Sequence, residues 1–207
     1  SNIELYFFPK LNEDGKTFQL VEEEYHHAAK VMRNKKGQTI YATDGNGHIY
    51  KGSVSVIEKN CIIVNISKSY EYSNQFKNII FCIPNLRNPD RLKYALEKCT
   101  ELGITNFILF YSERSSNKGF NTERINNILL SAMKQSLQAF LPTVKIFDSV
   151  SMFKNLIADK ILFEQNTENN FKDQIFNEIK NQYLIFGPEG GLSPKDILEI
   201  NPTLTLK

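Results

Sequence analysis

The sequence predicts an α/β protein in two parts, a small β-rich domain followed by a larger domain built on a parallel sheet. In the first part, alternating apolar residues flank Asp44-Gly45-Asn46-Gly47, a turn signal typical of a β-hairpin. From Asn78 onward, short apolar runs alternate with amphipathic stretches, a pattern that indicates a parallel sheet covered by helices on both faces. We therefore expect a β-rich domain at residues 1–70, a polar linker at 71–77 and an α/β domain at 78–207.

In the β-rich domain, a short helix is expected from Glu23 to Met32, ahead of three strands. The strands are predicted at Thr39–Thr43, His48–Ile57 and Cys61–Ile66. Apolar, β-branched and aromatic side chains alternate with polar ones along these stretches, which is the pattern of half-buried strands. A small barrel-like sheet is the expected result.

The α/β domain is predicted to open with a buried strand at Asn78–Pro84. Asn88 and Pro89 then begin a helix, as its cap and its first residue. Its apolar stripe consists of Leu92, Leu96, Cys99 and Leu102, and Gly103 ends it. A second helix is predicted from Thr122 to Phe140. Further strands are expected at Ile104–Tyr111, Val144–Phe147, Lys160–Phe163 and Tyr183–Phe186, with a last one at Leu204 and Leu206.

Composition narrows the classes of protein to which the chain can belong. Apolar residues make up 41% of the sequence, enough for a core, and charged residues 23%. No run approaches the roughly 18 apolar residues that span a bilayer, and the start lacks a signal peptide, so a cytoplasmic protein is expected. The cysteines Cys61, Cys82 and Cys99 are too widely spaced for a zinc site, which favours buried free thiols. No metal site is expected.

Basic residues are concentrated in two places, although the net charge is only +2. Residues 73–120 contain seven basic and four acidic side chains, and Lys30, Arg33, Lys35 and Lys36 lie within seven residues of one another. Such clusters are usually solvated surfaces, and contact with the phosphates of a nucleic acid is the functional alternative.

The segment from Tyr183 to Pro194 carries the clearest chemical signal. An apolar strand runs into Gly187-Pro188-Glu189-Gly190-Gly191, and Ser193 then caps a helix that begins with Pro194. In open α/β sheets, ligands bind beyond the carboxyl ends of strands, where glycines let the backbone approach closely. The loop matches neither the dinucleotide nor the triphosphate fingerprint. A tight strand-to-helix turn without a ligand is the simpler alternative.

Several segments in order resemble the ribosomal-RNA uracil-N3 methyltransferases of the RsmE type, which are knotted SPOUT enzymes. The loop Phe186–Ser193 resembles the family's cofactor loop. The other matching segments are His27 with Val31-Met32-Arg33 and Lys36-Gly37, Asp44-Gly45 with Gly47 and Tyr50, Lys98 with Glu101-Leu102-Gly103-Ile104, Ser112-Glu113-Arg114-Ser115, and Gln135-Ser136 with Leu141-Pro142. The resemblance therefore extends over nearly the whole chain.

This resemblance implies a PUA-like N-terminal β-barrel and a SPOUT-type trefoil-knot parallel-sheet domain. Two departures accompany it. An arginine that many relatives have corresponds to Gln138 here, and the family's last segment, which threads the knot, is expected to be missing after Lys207. The implied activity is methyl transfer from S-adenosylmethionine to N3 of a uridine in 16S ribosomal RNA, with the small ribosomal subunit as partner. A homodimer is also implied, with Leu192, Ile197 and Leu198 near its interface.

The resemblance also implies roles for individual residues. Arg91, Arg87 and Glu101 are the catalytic candidates, the arginines for the uracil carbonyls and Glu101 as base; phosphate contacts and an ion pair of Glu101 with Lys98 or Lys93 are the alternatives. Cofactor contacts are expected from Leu162, Glu164, Ile185, Phe186, Gly187, Pro188, Glu189, Gly190 and Gly191, although Leu162 and Phe186 also suit a core. RNA contacts are expected from His27, Lys30, Arg33, Lys35, Lys36 and Arg114.

Two other classes of protein remain open from the sequence. One is an RNA-binding module without catalysis, which an incomplete cofactor pocket would favour. The other is an unrelated nucleotide-binding α/β enzyme, which the order of the domains and the missing phosphate fingerprints disfavour. Binding of S-adenosylmethionine separates the enzyme from both.

Overall fold

A computed structural model describes residues 3–115, 119–165, 167, 169 and 180–207. The chain divides into two compact units, and each is described separately. One unit contains the chain up to Asn74 together with Leu130–Leu141, and the other contains Gln75–Leu129 and Pro142–Lys207. The N-terminal unit therefore takes in a short segment from the second half of the sequence.

The N-terminal unit is a curled, mixed five-stranded sheet. Its strands are β1 (Leu5–Phe7), β2 (Thr17–Val21), β3 (Thr39–Thr43), β4 (His48–Ile57) and β5 (Cys61–Glu71), in the order β1-β3-β4-β5-β2. β1 pairs with β3 in parallel and the other pairs are antiparallel. Phe8, just after one edge strand, stacks on Phe18 of the other edge strand with ring centroids 4.3 Å apart. The two edges thus meet across the core, which confirms the predicted barrel-like domain.

A short helical segment connects β2 to β3. It consists of α1 (Glu22–His26) and a π-helical turn at His27–Val31, where the sequence predicts one helix from Glu23 to Met32. The segment ends with Arg33 at a φ of +53° and Asn34, whose side-chain amide donates to the Tyr6 hydroxyl at 2.8 Å. Because Asn34 and Tyr6 are both buried, this hydrogen bond satisfies two polar groups and holds the turn in place.

The hairpin turn between β3 and β4 holds the segment from the second half of the chain. Gly47 donates its N–H to the Ala139 carbonyl at 3.0 Å, and the Gly45 carbonyl accepts the N–H of Leu141 at 2.9 Å. Both glycines have a positive φ, and a Cβ on Gly47 would lie 2.7 Å from the Phe140 ring. Glycine is required there because any side chain would displace this segment.

The second unit is built on a six-stranded parallel sheet. Its strands are β6 (Ile79–Pro84), β7 (Asn106–Phe110), β8 (Thr143–Phe147), β9 (Asp159–Phe163), β10 (Gln182–Phe186) and β11 (Leu204–Leu206), in the order β11-β9-β10-β6-β7-β8. Its helices are α2 (Pro89–Glu101), α3 (Thr122–Gln135), a 3₁₀ turn (Val150–Asn155) and α4 (Pro194–Ile200). The chain moves outward from β6 through β7 to β8 and returns on the other side of β6 with β9 and β10. The carboxyl ends of β6 and β10 therefore mark a topological switch point.

Helices cover both faces of this sheet, as predicted. One core joins α2 and α3 to β6 and β7 through Leu96, Phe107, Leu109 and Leu129, all at most 2% exposed. The core on the other face joins the 3₁₀ turn and α4 to the strands; its fully buried members are Cys82, Phe110, Phe153, Ile185 and Ile200. Apolar burial on both faces explains the uninterrupted apolar runs of the strands.

Several details of the prediction are wrong. Strand β5 continues to Glu71, five residues beyond its predicted end at Ile66. Helix α3 ends at Gln135, not at Phe140, because Leu137 turns the chain with a φ of +55°. Leu102 is 74% exposed, since α2 ends at Glu101 and Gly103 redirects the chain with a φ of +93°. Of the three free cysteines only Cys82 is buried, whereas the other two are half-buried.

Candidate functional site in the parallel-sheet unit

The glycine-rich loop begins where β10 ends and leads into α4. Its turn is closed by a hydrogen bond from the Gly191 N–H to the Pro188 carbonyl at 2.8 Å, with Gly191 at a φ of +69°. Ser193 caps α4 as predicted, because its hydroxyl accepts the Asp196 N–H at 3.1 Å. The Asp196 carboxylate in turn accepts the Ser193 N–H at 3.0 Å, which completes a capping box.

A cleft of about 690 Å³ lies at the carboxyl ends of β9 and β10. Its lining combines apolar side chains, the loop backbone and a few charged groups: Arg114, Phe163, Glu164, Gln165, Gly187, Pro188, Glu189, Gly190, Gly191, Leu192, Pro194 and Ile197. The volume and the mixed lining fit a ligand of cofactor size. The position, next to the switch point of the sheet, is where ligands bind in open α/β folds.

Glu189 connects the loop to the start of α2. Its carboxylate accepts the Arg87 N–H at 3.4 Å and lies 3.7 Å from the Arg91 guanidinium. The pKa of Glu189 is lowered, first by the hydrogen bond from its own backbone N–H and then by the N–H groups of Arg87 and Asn88 and the charge of Arg91. Glu189 is therefore held as an anion beside two basic residues, a poor arrangement for accepting a proton.

The segment after β7 supports the loop from the other side. Arg114 donates to the Gly190 carbonyl at 2.8 Å, and the Glu113 N–H lies 3.3 Å from each oxygen of the buried Asp196 carboxylate. The loop is thus fixed at adjacent residues, 189 and 190, by the segments that follow β6 and β7. Such support holds a binding loop in one shape before a ligand arrives.

Most of the residues predicted for the cofactor and for catalysis lie together at this edge of the sheet. Glu164, Gly187, Pro188, Glu189, Gly190 and Gly191 line the cleft, and Arg87 and Arg91 adjoin it through Glu189. Phe186 stacks on Phe163, a lining residue, with ring centroids 4.8 Å apart. Leu162 and Ile185 are at most 1% exposed and belong to the core beneath the cleft.

Glu101 is not brought to the cleft. It is the last residue of α2, the helix whose first turn adjoins the loop, so the thirteen residues of that helix separate the two sites. At 1.5 Å per residue the separation is about 18 Å. Its carboxylate is paired with Lys98, whose Nζ lies 2.8 Å from both oxygens. The ion pair of Glu101 with Lys98, one of the alternatives expected from the sequence, is therefore the arrangement observed.

The residues predicted for RNA belong to different parts of the chain. Lys30, Arg33, Lys35 and Lys36 are all exposed on the N-terminal unit. His27 is half-buried, with Nδ1 3.6 Å from a Glu4 oxygen and its ring tilted against Tyr6. Arg114 lies in the cleft and bonds to Gly190, a contact that sequence reasoning missed. Asp196 was also missed, although Ser193-x-x-Asp196 has the spacing of a capping box.

Two further observations concern only the described part of the chain. There, no three histidine, cysteine, aspartate or glutamate residues are grouped so that they could hold a metal ion. No helix in the described ranges is both long and apolar enough to cross a membrane.

Family models match both parts of the chain. A model of the RNA methyltransferase domain matches residues 74–203, and a model of the RNA methyltransferase PUA domain matches residues 20–67. Among curated proteins, the chain is similar to ribosomal RNA small subunit methyltransferase E of Bacillus subtilis, with 25% identity over 89% of this chain and 78% of that protein. The same enzyme of Rickettsia conorii is 22% identical over 95% of this chain and 81% of its own length.

Solved structures share the fold. The methyltransferase E of Neisseria gonorrhoeae, bound to S-adenosyl methionine, superimposes with a TM-score of 0.85 at 21% identity, covering 100% of this chain and 90% of that one. A putative methyltransferase from Legionella pneumophila in complex with the same cofactor gives a TM-score of 0.84 at 18% identity, with 100% and 90% covered. Since the RNA methyltransferase model matches more than half of the residues and the sequence relatives share one name, the chain belongs to the RsmE family of RNA methyltransferases.

Proposed function

We propose that the protein transfers a methyl group from S-adenosylmethionine to N3 of a uridine in 16S ribosomal RNA. The observation that carries this proposal is the cleft beside the glycine-rich loop, fixed on both sides by Glu189 and Arg114. The names of the curated relatives support the small-subunit RNA, and two structural neighbours contain the cofactor. A ribosomal substrate assigns the activity to the cytoplasm.

The residues that line the cleft fit this cofactor. Gly190 lines the cleft and its backbone is not crowded, since the nearest described atoms to an added Cβ are those of Arg114 at 3.7 Å. Phe163, Leu192 and Ile197 supply apolar surface for an adenine ring, while Glu164 and the loop carbonyls supply acceptors for a cationic ligand. When bound, the cofactor supplies an electrophilic methyl group on a sulfonium, so the task left to the protein is positioning.

Arg91 and Arg87 are the groups that would meet the uracil. A uracil that loses the proton from N3 carries negative charge on its carbonyl oxygens, which a guanidinium stabilises. Arg91 is 65% exposed beside Glu189, so its guanidinium is held at the loop and remains accessible to RNA. The proton on N3 leaves to water or to a carboxylate; Glu101 is too far along α2 to take it, and the lowered pKa of Glu189 makes that residue a weak base.

The N-terminal unit would hold the RNA. Lys30, Arg33, Lys35 and Lys36 are exposed cations on one short stretch, which suits contact with phosphates along a strand. N3 of uracil lies on the pairing edge, so the target nucleotide has to be unpaired or turned out of its helix. Positioning by phosphate contacts outside the cleft serves this requirement.

A homodimer belongs to the same proposal. Leu198 is 81% exposed on α4 and Ile197 is half-buried, so this helix offers apolar surface next to the loop. Leu192, the third residue expected at the interface, is 6% exposed and packs in the core of its own unit. A symmetric interface would therefore centre on α4 rather than on the loop residue.

The test is methyl transfer from labelled S-adenosylmethionine to small ribosomal subunits and to protein-free 16S RNA. Nuclease digestion and mass spectrometry should find N3-methyluridine at one position. Arg91→Ala should lower kcat by at least 10²-fold with the cofactor affinity unchanged, the size of loss seen when one charge-stabilising group is removed. Lys93→Ala is the matched control, because Lys93 pairs with Glu97 on the same helix. Methylation of another atom would refute the proposal. A wild-type protein that binds the cofactor but transfers no methyl group to the RNA would refute it as well.

A further inference from the structure

A second cleft, of about 660 Å³, lies within the N-terminal unit. Ile3–Leu5 at the start of β1 and His27 of the π-helical turn form one side. The other side is formed by Ser131, Lys134, Gln135 and Leu137, which belong to the segment Leu130–Leu141 that packs with this unit. The cleft is separate from the proposed cofactor site, with which it shares no lining residue.

The backbone is strained just after the end of α3. Leu137 has a φ of +55°, a conformation that bulky side chains rarely adopt. The chain is held in it by the Gln138 N–H, which bonds to the Met133 carbonyl at 3.0 Å, and by the Ser136 hydroxyl, which bonds to the Ala132 carbonyl at 2.7 Å. As a result the Leu137 side chain is 42% exposed at the rim of the cleft, and Ile3 is 50% exposed at the same cleft. Backbone strain of this kind is found most often at active sites and ligand-binding sites.

Apart from Lys134, the hydrogen-bonding side chains on this side of the cleft are neutral. Ser131 and Gln135 lie one turn apart on α3, and both are exposed. Lys134, between them, is ion-paired with Glu24, whose side chain is only 12% exposed, so its charge is balanced inside the unit. The Gln135 amide offers both a donor and an acceptor, and the Ser131 hydroxyl offers either. A planar, uncharged group with donors and acceptors along one edge complements this pair.

Four exposed cations follow His27, a lining residue of the cleft, in the sequence. They are Lys30, Arg33, Lys35 and Lys36. Across the described residues, the ion pairs of the structure involve none of these four side chains. They are therefore available to a polyanion. A ligand that combines an uncharged planar group with a repeating negative charge is a single strand of nucleic acid.

We propose that this cleft binds an unpaired base of the RNA substrate, with Gln135 and Ser131 hydrogen-bonded to its edge and Leu137 against its face. The cations after His27 then hold the phosphates on either side of that base. The inference rests on the RNA substrate proposed above and adds a second contact to it, one that reads a base away from the methylated uridine. Gln135 and Ser131 are specificity residues in this scheme, whereas the lysines and Arg33 contribute affinity without sequence preference.

The test uses short RNA single strands of equal length, made of uridylate, cytidylate or adenylate, and an RNA duplex. Fluorescence anisotropy at several salt concentrations gives the affinities. The wild-type protein should prefer one homopolymer by about 5- to 150-fold, the range that one well-placed pair of base contacts gives. The double variant Ser131→Ala/Gln135→Leu should bring this preference near unity while the salt slope stays the same. Gln19→Leu is the matched control, because Gln19 is exposed on β2 of the same unit and does not line the cleft.

Each outcome decides the question. Wild-type protein without a base preference, or a preference that survives in the double variant, overturns the inference. Equal affinity for the duplex overturns it too, because a paired base cannot enter the cleft. The protein could instead bind polyglutamate as tightly as it binds RNA, with both affinities reduced equally in the double variant. That result would assign the cleft to an acidic protein partner. If the wild-type protein neither binds nor methylates the RNA, the proposed function fails. If the double variant methylates the RNA normally and keeps the same base preference, only this inference fails.

Discussion

Replacing Gly190 by valine should weaken cofactor binding without unfolding the protein. The backbone at Gly190 tolerates a Cβ, since its φ is not positive and the nearest atoms, Cδ and Cβ of Arg114, lie 3.7 and 3.8 Å away. The two methyl groups of valine extend beyond that Cβ, next to Arg114, which lines the same cleft as Gly190. Crowding a packed site by groups of this size costs about 1–3 kcal/mol. We therefore expect the Kd for S-adenosylmethionine to rise by about 5- to 150-fold.

Isothermal titration calorimetry measures the affinity, and thermal melting shows whether the variant is folded. Gly119→Val is the matched control, because an added Cβ there meets no atom of the described residues within 4 Å and Gly119 does not line the cofactor cleft. Its Kd should equal that of the wild type. A folded Gly190→Val protein with wild-type affinity would show that the loop does not contact the cofactor.

Three further perturbations test other parts of the structure. Replacing Lys30, Arg33 and Lys36 by alanine should reduce the slope of log Kd for single-stranded RNA against log salt by about 2, as expected for three lost phosphate contacts. An unchanged slope would mean that these side chains only face water. Asp196→Ala leaves the N–H groups of Ser193 and Glu113 without their acceptor, so urea denaturation should show a loss of about 2–4 kcal/mol, while Glu199→Ala on the same helix should cost little. Leu198→Glu should shift a sedimenting dimer to monomer, and a wild-type protein that sediments as a monomer at micromolar concentration would contradict the dimer.

Local patterns in the sequence were sufficient for most of the elements. The strands Thr39–Thr43 and His48–Ile57 have the predicted bounds, because a strong turn signal separates two alternating runs. The cap at Asn88 and the start of α2 at Pro89 are also as predicted. β1 was not predicted, because its three residues form a strand only by pairing in parallel with β3, a contact over more than thirty residues of chain that no local pattern encodes.

The error at the end of α3 has a clear physical cause, because a tertiary contact there overrides the helical spacing of apolar residues. Apolar spacing continues past Gln135 as far as Phe140, yet the helix stops because Ala139 and Leu141 bond to the turn at Gly45–Gly47. In the cleft, the glycine loop was recognisable from its composition. The bond from Arg114 to Gly190 was not, because it joins residues 76 positions apart. Glu101 was assigned from a motif, and only the length of α2 shows how far from the loop it lies.

The N-terminal sheet is completed by residues that are synthesised long after its last strand. Ala139 is 4% exposed and forms a small cluster with Leu5 and Ile49, and Thr43 donates its hydroxyl to the Ala139 carbonyl at 3.2 Å. On a translating ribosome, Leu130–Leu141 follows Asn74 after a delay on the order of several seconds. During that interval the nascent β-sheet lacks part of its core, with Leu5 and Ile49 uncovered. A gene fragment that stops at residue 74 would leave Leu5 and Ile49 uncovered permanently, so the N-terminal sheet and Leu130–Leu141 have to be transferred between proteins together.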